Sequence, residues 1–200
     1  MAGVPFVGLT GGLGAGKSEA LRALGELGAA TLSTDAVVHE LLESPELREI
    51  VTARLGDEVL LDGGLDRSLI AERVFGDDEA RKWLGGELWP RVGQRVIEWR
   101  QEMEARDSPP RAMVVEVPLL FESGMEPVFD ATIAVVADEE LRAERAGARG
   151  HAALSERTGR QLSQQEKAER ADYEVRNDGT LQELRDKLSR VLARLDQSAR

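Results

Sequence analysis

Short apolar runs alternate with amphipathic stretches along the chain. Apolar runs bounded by glycine, proline or charged residues predict five buried strands, at Pro5–Leu9, Ala29–Leu32, Ala112–Val117, Ala131–Val136 and Tyr173–Arg176. Apolar residues spaced three or four apart predict helices, among them Lys17–Leu27, a helix capped by Thr34 or Asp35, Asp138–Arg149 and Leu181–Leu195. This alternation predicts an α/β fold with a five-stranded parallel sheet and helices on both faces.

The long stretch from Ser44 to Arg106 shows helical spacing and no clear strand. Helix-breaking residues punctuate it at Pro45, Gly56, Gly63–Gly64, Gly76 and Pro90. We therefore expect one domain with a helical insert at about residues 44–110. Its core would comprise residues 1–43, 111–141 and 171–200, and residues 142–170 would form a separate polar segment.

Composition narrows the class of protein. The 200 residues are 42% hydrophobic and 32% charged, as in a soluble globule, and the net charge of −11 disfavours nucleic acid and anionic membranes as partners. The absence of cysteine excludes disulfides, thiolate zinc sites and cysteine nucleophiles. With no basic stretch at Met1–Val7 and no apolar run near the ~20 residues that span a bilayer, we expect a cytoplasmic protein.

The segment Gly11–Ser18 reads GGLGAGKS and matches G-x-x-x-x-G-K-[ST] between a predicted strand and a predicted helix. In such a loop the backbone N–H groups and the start of the helix bind phosphates, the lysine contacts the β- and γ-phosphates, and the serine hydroxyl binds Mg²⁺. The pattern therefore predicts that ATP and Mg²⁺ bind here. The predicted nucleotide-binding residues are Gly12, Gly14, Ala15, Gly16, Lys17, Ser18 and Glu19.

Three classes of protein use this motif. A GTP switch usually carries N-K-x-D, and the nearest stretch is Arg176–Gly179, RNDG; a mechanical ATPase usually has a strand ending in Asp, which Met113–Glu116 matches only weakly. A small-molecule kinase needs a basic lid that excludes water from the γ-phosphate. Residues Arg142–Arg170 carry seven Lys or Arg and four Glu, a local charge of +3, which indicates such a lid or else an ordinary solvated face.

A kinase also needs a base for its acceptor. In open α/β sheets ligands bind at the carboxyl ends of the strands, where the loop at Gly11–Ser18, Asp35 and Glu116 are all predicted to lie. Asp35 could accept a hydroxyl proton from the acceptor, or it could simply cap the following helix. The residues alone leave both roles open.

Several motifs resemble those of dephospho-coenzyme A kinases. Leu9–Ser18 is similar to the family's L-T-G-G-I-G-S-G-K-S, and Val117–Glu122 reads V-P-L-L-F-E as the family does. Arg157 and Gln161 resemble its R-x-x-x-Q segment. Other matches are Leu27-Gly28, the strand leading to Asp35, Arg170-Ala171-Asp172 and the N-x-G at Asn177 to Gly179.

This resemblance implies transfer of the ATP γ-phosphate to the ribose 3′-hydroxyl of dephospho-coenzyme A, with those two small molecules as the partners. It implies that Asp35 is the general base, that Lys17 and Arg145 hold phosphates, and that Ser18 and Glu116 lie at Mg²⁺. The residues implied for the acceptor are His39, Glu116, Pro118, Leu119, Arg157 and Gln161.

The chain departs from the family pattern at four positions, which are Ser33 for Asp, Trp89 for His, Glu19 for Thr and Arg176 for Asp. None of them removes a group that phosphoryl transfer requires. Two rivals remain open: another small-molecule kinase, such as a nucleoside monophosphate or shikimate kinase, and a regulator that binds nucleotide without catalysis.

Overall fold

The structure, a computed structural model, describes residues 3–148 and 161–198. The chain divides into two compact units. The first contains the residues up to Ser33 and those from Arg100 onward, and the second contains Thr34–Trp99.

The described residues form strands and helices with the following bounds. The strands are β1 (Phe6–Gly11), β2 (Ala30–Ser33), β3 (Leu60–Leu61), β4 (Gly64–Leu65), β5 (Met113–Glu116), β6 (Ala131–Val136) and β7 (Tyr173–Arg176). The helices are α1 (Lys17–Glu26), α2 (Thr34–Leu42), α3 (Pro45–Leu55), α4 (Arg67–Val74), α5 (Asp78–Glu104), α6 (Glu139–Ala148), α7 (Gln164–Arg170) and α8 (Leu181–Ser198). In this part of the chain no helix combines the length and the apolar character needed to cross a membrane.

The first unit is built on a five-stranded parallel sheet in the order β2-β5-β1-β6-β7, which confirms the predicted sheet. All residues of β1 and β6 are buried, as expected for the inner strands of a parallel sheet. Leu9 and Ser33 both pair with Glu116, so β5 and β2 end level with each other, and β1 continues beyond them to Gly11. The segments that follow β1, β5 and β2 therefore all begin at the same edge of the sheet.

Helices cover both faces of the sheet. Side chains alternate along β1, and Val7 and Leu9 face a core that Leu24 of α1 and Leu188 and Leu192 of α8 complete. Fully burying one such leucine stabilises the fold by about 1.5–3 kcal/mol. A smaller cluster on the opposite face contains two residues of β6 and one of α7, namely Ala134, Val136 and Ala168.

The second unit has its own apolar core. Leu47, Val51 and Leu55 recur every four residues along α3 and are buried, so one face of that helix lies in the core. Ser44 starts α3 by accepting a hydrogen bond from the N–H of Leu47, at 3.2 Å, and Pro45 occupies the first turn.

Two expectations for Ser44–Arg106 are wrong. β3 and β4 pair as an antiparallel hairpin where no strand is predicted, and its turn residues Asp62 and Gly63 have φ values of 52° and 82°. Pro90 lies inside α5 rather than interrupting a helix. Proline removes the backbone donor that would bond the carbonyl of Gly86, and at the next residue Arg91 Nη1 donates to the carbonyl of Glu87 at 2.7 Å.

Candidate active site

The loop between β1 and α1 has the geometry of an anion-binding turn. Ala15 N donates to Gly12 O at 3.2 Å, and α1 begins at Lys17, so the N–H groups at the start of this helix lie at the loop. Lys17 Nζ reaches back to Gly12 O at 3.2 Å, which holds its ammonium group across the loop. Backbone amides, the helix dipole and the lysine charge together favour a phosphate.

Two glycines of this loop cannot be replaced by another residue without strain. Gly14 and Gly16 have φ values of 73° and 94°, in the left-handed region where a side chain is strained. A Cβ at Gly14 would also overlap the backbone carbonyl of Arg142, and one at Gly16 would overlap Asn177 Nδ2. The loop is thus curled by its own sequence and packed tightly by two later segments.

Two arginines of α6 contact this region. Arg142 Nε donates to Leu13 O at 3.0 Å, so its guanidinium lies on the loop itself, and Glu139 pairs with it at 2.6 Å. Arg145, which the family resemblance implies as a phosphate ligand, donates through Nη1 to Asn177 O at 3.1 Å. No motif of the sequence marks Arg142, which is the first residue of the segment Arg142–Arg170 with its local charge of +3.

Asn177 is a site residue that the sequence analysis missed. It is only 6% exposed, and its Nδ2 donates to Ala15 O at 2.9 Å. Its backbone N–H donates to Val136 O at 2.8 Å, which fixes it where β7 ends beside β6. The N-x-G stretch pointed to this position but gave no contact with the nucleotide loop.

Ionic contacts hold the turn that carries Asn177. Arg176 Nη1 contacts Asp138 Oδ1 and Asp178 Oδ2, each at 3.3 Å, and Asp178 Oδ1 accepts from Asp138 N at 2.7 Å. The hydrogen bond that the Arg176 guanidinium donates to Asp178, together with the charge of that carboxylate, raises the pKa of Arg176, and the charges of Glu174 and Asp138 add to the effect. The arginine that departs from the family's usual Asp therefore ties the segment after β7 to the segment after β6.

Two residues of the first unit, Ser18 and Glu116, carry oxygen atoms that suit a magnesium ion. Glu116 is the last residue of β5, lies in register with Leu9 of β1 and is 5% exposed. The next residue, Val117, donates through its backbone N to Leu9 O at 2.8 Å, which holds the end of β5 against β1. Ser18 is exposed in the first turn of α1. The described residues contain no cluster of three or more His, Asp or Glu side chains arranged for a metal. Magnesium in nucleotide sites typically takes one or two protein oxygens together with phosphates and water, so a serine and one carboxylate fit it.

The turn after β5 carries the residues implied for the acceptor. Pro118 and Leu119 are half-buried, and the Ser123 hydroxyl donates to Leu119 O at 2.8 Å. Thr10, the residue before the nucleotide loop, donates through its hydroxyl to Pro118 O at 3.2 Å. Gln161 is exposed. Arg157 lies outside the described residues.

Asp35 and His39 belong to the second unit. They lie one turn apart on α2, so both occupy the same face of that helix, and both are exposed. His39 Nε2 is 3.5 Å from Glu43 Oε1. Since α2 already begins at Thr34, Asp35 lies in its first turn, where a carboxylate interacts favourably with the helix dipole.

Comparisons with known proteins agree on one family. The family model described as "Dephospho-CoA kinase" matches residues 5–183. The dephospho-CoA kinase of Protochlamydia amoebophila is 40% identical over 194 residues, covering 94% of this chain and 95% of that protein. A crystal structure from Thermus thermophilus superposes with a TM-score of 0.79 at 32% identity, covering 96% of this chain and 98% of that one. The dephospho-CoA kinase structure from Campylobacter jejuni gives 0.69 at 25% identity with the same coverage.

Proposed function

The chain belongs to the dephospho-CoA kinase family, and on this premise we propose that it transfers the γ-phosphate of ATP to the ribose 3′-hydroxyl of dephospho-coenzyme A. The products are coenzyme A and ADP. The observation that carries this proposal is the intact phosphate-binding loop at Gly11–Ser18, which lies within a family match running from residue 5 to residue 183.

The nucleotide half of the reaction uses groups of the first unit. The amides of Gly12–Gly16 and the Lys17 ammonium bind the β- and γ-phosphate oxygens, where negative charge develops as the phosphoryl group moves. Arg145 adds positive charge at the same edge and is steadied by its bond to Asn177 O. These groups act by position and charge, so they need no covalent intermediate.

The acceptor half requires a base. The 3′-hydroxyl oxygen attacks the γ-phosphorus, the bond from that phosphorus to the bridging oxygen breaks, and the electron pair leaves with ADP. Asp35 accepts the hydroxyl proton. His39, one turn further along the same face of α2, contacts the acceptor, as do Glu116, Pro118 and Leu119.

Ser18 and Glu116 would hold the magnesium ion that accompanies ATP. When bound, the ion neutralises charge on the β- and γ-phosphates. The position of Glu116 at the carboxyl end of β5, in register with Leu9 of β1, supports this role.

The remaining segments take the roles that their composition suggests. Residues 44–110 form the acceptor-binding insert, and residues 142–170, with Arg157 and Gln161, form the lid. A basic lid keeps water from the γ-phosphate, because a kinase that admits water hydrolyses ATP instead. The net charge of −11 disfavours nucleic acid and anionic membranes, so we propose a cytoplasmic enzyme whose partners are its two small-molecule substrates.

A coupled assay of ADP release tests the proposed function. Purified protein with Mg·ATP should release ADP rapidly only when dephospho-coenzyme A is added, and mass spectrometry should identify coenzyme A as the product. Shikimate and nucleoside monophosphates serve as competing acceptors in parallel reactions. Phosphorylation of one of those, with none of dephospho-coenzyme A, would refute the proposal.

Asp35→Asn tests the base. We expect turnover to fall by about 10²-fold or more while ATP binding is largely kept, because a general base contributes rate rather than nucleotide affinity. Asp57→Asn, which neutralises another exposed carboxylate of the second unit, is the matched control. Equal losses of binding and turnover in Asp35→Asn would mean that this residue is structural.

A further inference from the structure

Lys167 of α7 is a buried lysine. It is 2% exposed, and no other lysine or arginine in the described ranges is buried to this degree. Burying an ammonium group is unfavourable unless it is paired and hydrogen-bonded. Its Nζ has two close partners, Glu122 Oε1 at 2.9 Å and Pro118 O at 2.6 Å.

The carbonyl of Pro118 is where two structural elements meet. It accepts from Lys167 Nζ on α7 and from the hydroxyl of Thr10, at 3.2 Å, at the end of β1. Thr10 is fully buried and directly precedes Gly11, the first residue of the nucleotide loop. One carbonyl therefore links the strand that presents the nucleotide loop with the turn that carries Pro118 and Leu119.

The same network fixes the start of α7. Glu122 Oε1 also accepts from Leu162 N at 3.0 Å, so one carboxylate oxygen joins the end of the acceptor turn to the segment leading into the helix. Gln164 bonds to both backbone groups of Ala137, at 3.1 Å from Ala137 N and 2.8 Å from Ala137 O. Helix α7 is thereby anchored to the carboxyl ends of β5 and β6 at once.

Stability alone is a weak reason for this arrangement. A buried ion pair is often no more stabilising than well-packed apolar residues of similar volume. The buried pair can instead serve to position the backbone, because an ammonium group that donates to one carbonyl fixes where that carbonyl lies. Here the fixed carbonyl belongs to the turn that is proposed to contact the acceptor.

We infer that Lys167 is a positioning residue for phosphoryl transfer. It holds the turn Pro118–Glu122 at a set distance from the nucleotide loop, so that the acceptor alcohol lies in line with the γ-phosphate. This inference rests on the proposed function, in which that turn contacts the acceptor. Lys167 touches neither substrate and acts through Pro118 and Thr10.

Lys167→Met tests this role, because methionine keeps an unbranched side chain of similar length and removes the charge and the hydrogen-bond donor. We expect kcat/KM for dephospho-coenzyme A to fall by about tenfold or more, since small misplacements of reacting groups have large effects on rate. The dissociation constant of ADP, measured by calorimetry, should stay within about threefold because the nucleotide loop is intact. Lys167→Arg, which keeps the charge and the donors, should recover part of the lost rate.

Thr132→Val is the control for general destabilisation. It removes both hydrogen bonds of the Thr132 hydroxyl near the amino end of β6, the one that it donates to Asp172 Oδ2 at 2.8 Å and the one that it accepts from Asp172 N at 3.0 Å. We expect it to lower Tm. It should not lower kcat/KM for dephospho-coenzyme A selectively, relative to the dissociation constant of ADP. A Lys167→Met protein whose kinetics match wild type, or change only as those of Thr132→Val do, would overturn the inference.

A second variant covers the case in which Lys167→Met does not fold. Thr10→Val removes the other donor to Pro118 O and should raise the acceptor KM or lower kcat, whereas Thr10→Ser, which keeps a hydroxyl, should resemble wild type. Thr10→Val with unchanged acceptor kinetics would count against the network. A wild-type chain inactive towards dephospho-coenzyme A would overturn the proposed function together with this inference, whereas an active wild type and an unaffected Lys167→Met overturn the positioning role alone.

Discussion

Removing the Asn177 side chain tests whether the nucleotide loop is held in shape from outside. The hydrogen bond of 2.9 Å from Nδ2 to Ala15 O lies in a region where Asn177 is 6% exposed. Losing a buried neutral hydrogen bond removes about 1–2 kcal/mol. If this whole free energy stabilises the curled form of the loop that binds ADP, the affinity for ADP falls by at most about five- to thirtyfold in Asn177→Ala.

Asn177→Asp should be worse than Asn177→Ala. The substitution preserves shape but places a carboxylate oxygen, which cannot donate, opposite the carbonyl of Ala15. It also adds a negative charge beside a loop that must bind phosphates. We therefore expect ADP affinity in the order wild type, then the alanine variant, then the aspartate variant.

Calorimetric titration with ADP, together with thermal unfolding, measures both effects. Gln182→Ala is the matched control, because it removes an exposed amide whose 2.9 Å bond to Asp186 lies within α8. It should change neither ADP affinity nor Tm appreciably. If both Asn177 variants bind ADP within about twofold of wild type, the loop keeps its form unaided and our reasoning is wrong.

Three further predictions concern the nucleotide site, the core and the response to acid. Lys17→Ala should lose ATP affinity and turnover together in calorimetry and the coupled assay, and full activity would contradict the phosphate-binding loop. Leu192→Ala should lose about 2–5 kcal/mol in urea unfolding, because its side chain is fully buried, and an equal loss for the 58%-exposed Leu181 would contradict this. Hydrogen bonds from the N–H and hydroxyl of Ser163 lower the pKa of Glu166 below its ordinary 4.5, so its stabilising contribution is present above that pH and is lost as pH falls through the lowered value. Glu166→Gln should flatten this part of the acid dependence of Tm, and an unchanged profile would show that the carboxylate contributes nothing.

The sheet was predictable because each strand is a short apolar run with clear boundaries. Ala131–Val136 and Tyr173–Arg176 form strands with the predicted bounds. The nucleotide loop was predictable for a related reason, since its residues are contiguous and the chemistry of each one is local. Order of strands and register do not follow from such local signals, because they depend on pairs distant in sequence.

The hairpin at Leu60–Leu65 was missed although its signal is present. Asp-Gly between short apolar pairs favours a two-residue turn with positive φ at both positions, as Asp62 and Gly63 have. Interpreting Gly63–Gly64 only as a break in a helix hid this pattern. Two-residue strands also bury too little to give a periodicity of their own.

The contacts of Asn177 and Lys167 could not be predicted from spacing. Asn177 bonds to a residue 162 positions earlier, and Lys167 to one 49 positions earlier. A lysine in a polar helix such as α7 normally lies in solvent, and only the tertiary fold shows that this one is buried. The N-x-G stretch pointed to the position of Asn177, but the contacts of both residues come from the structure alone.

The place of β1 in the sheet has a consequence for synthesis on the ribosome. β1 leaves the exit tunnel well before its neighbours in the sheet, because Met113 and Ala131 are translated more than about a hundred residues later. At a few to about twenty residues per second, this apolar strand waits several seconds or longer without its partners. Nascent chains must protect it during that interval, and nucleotide can assist folding only once most of the polypeptide has emerged.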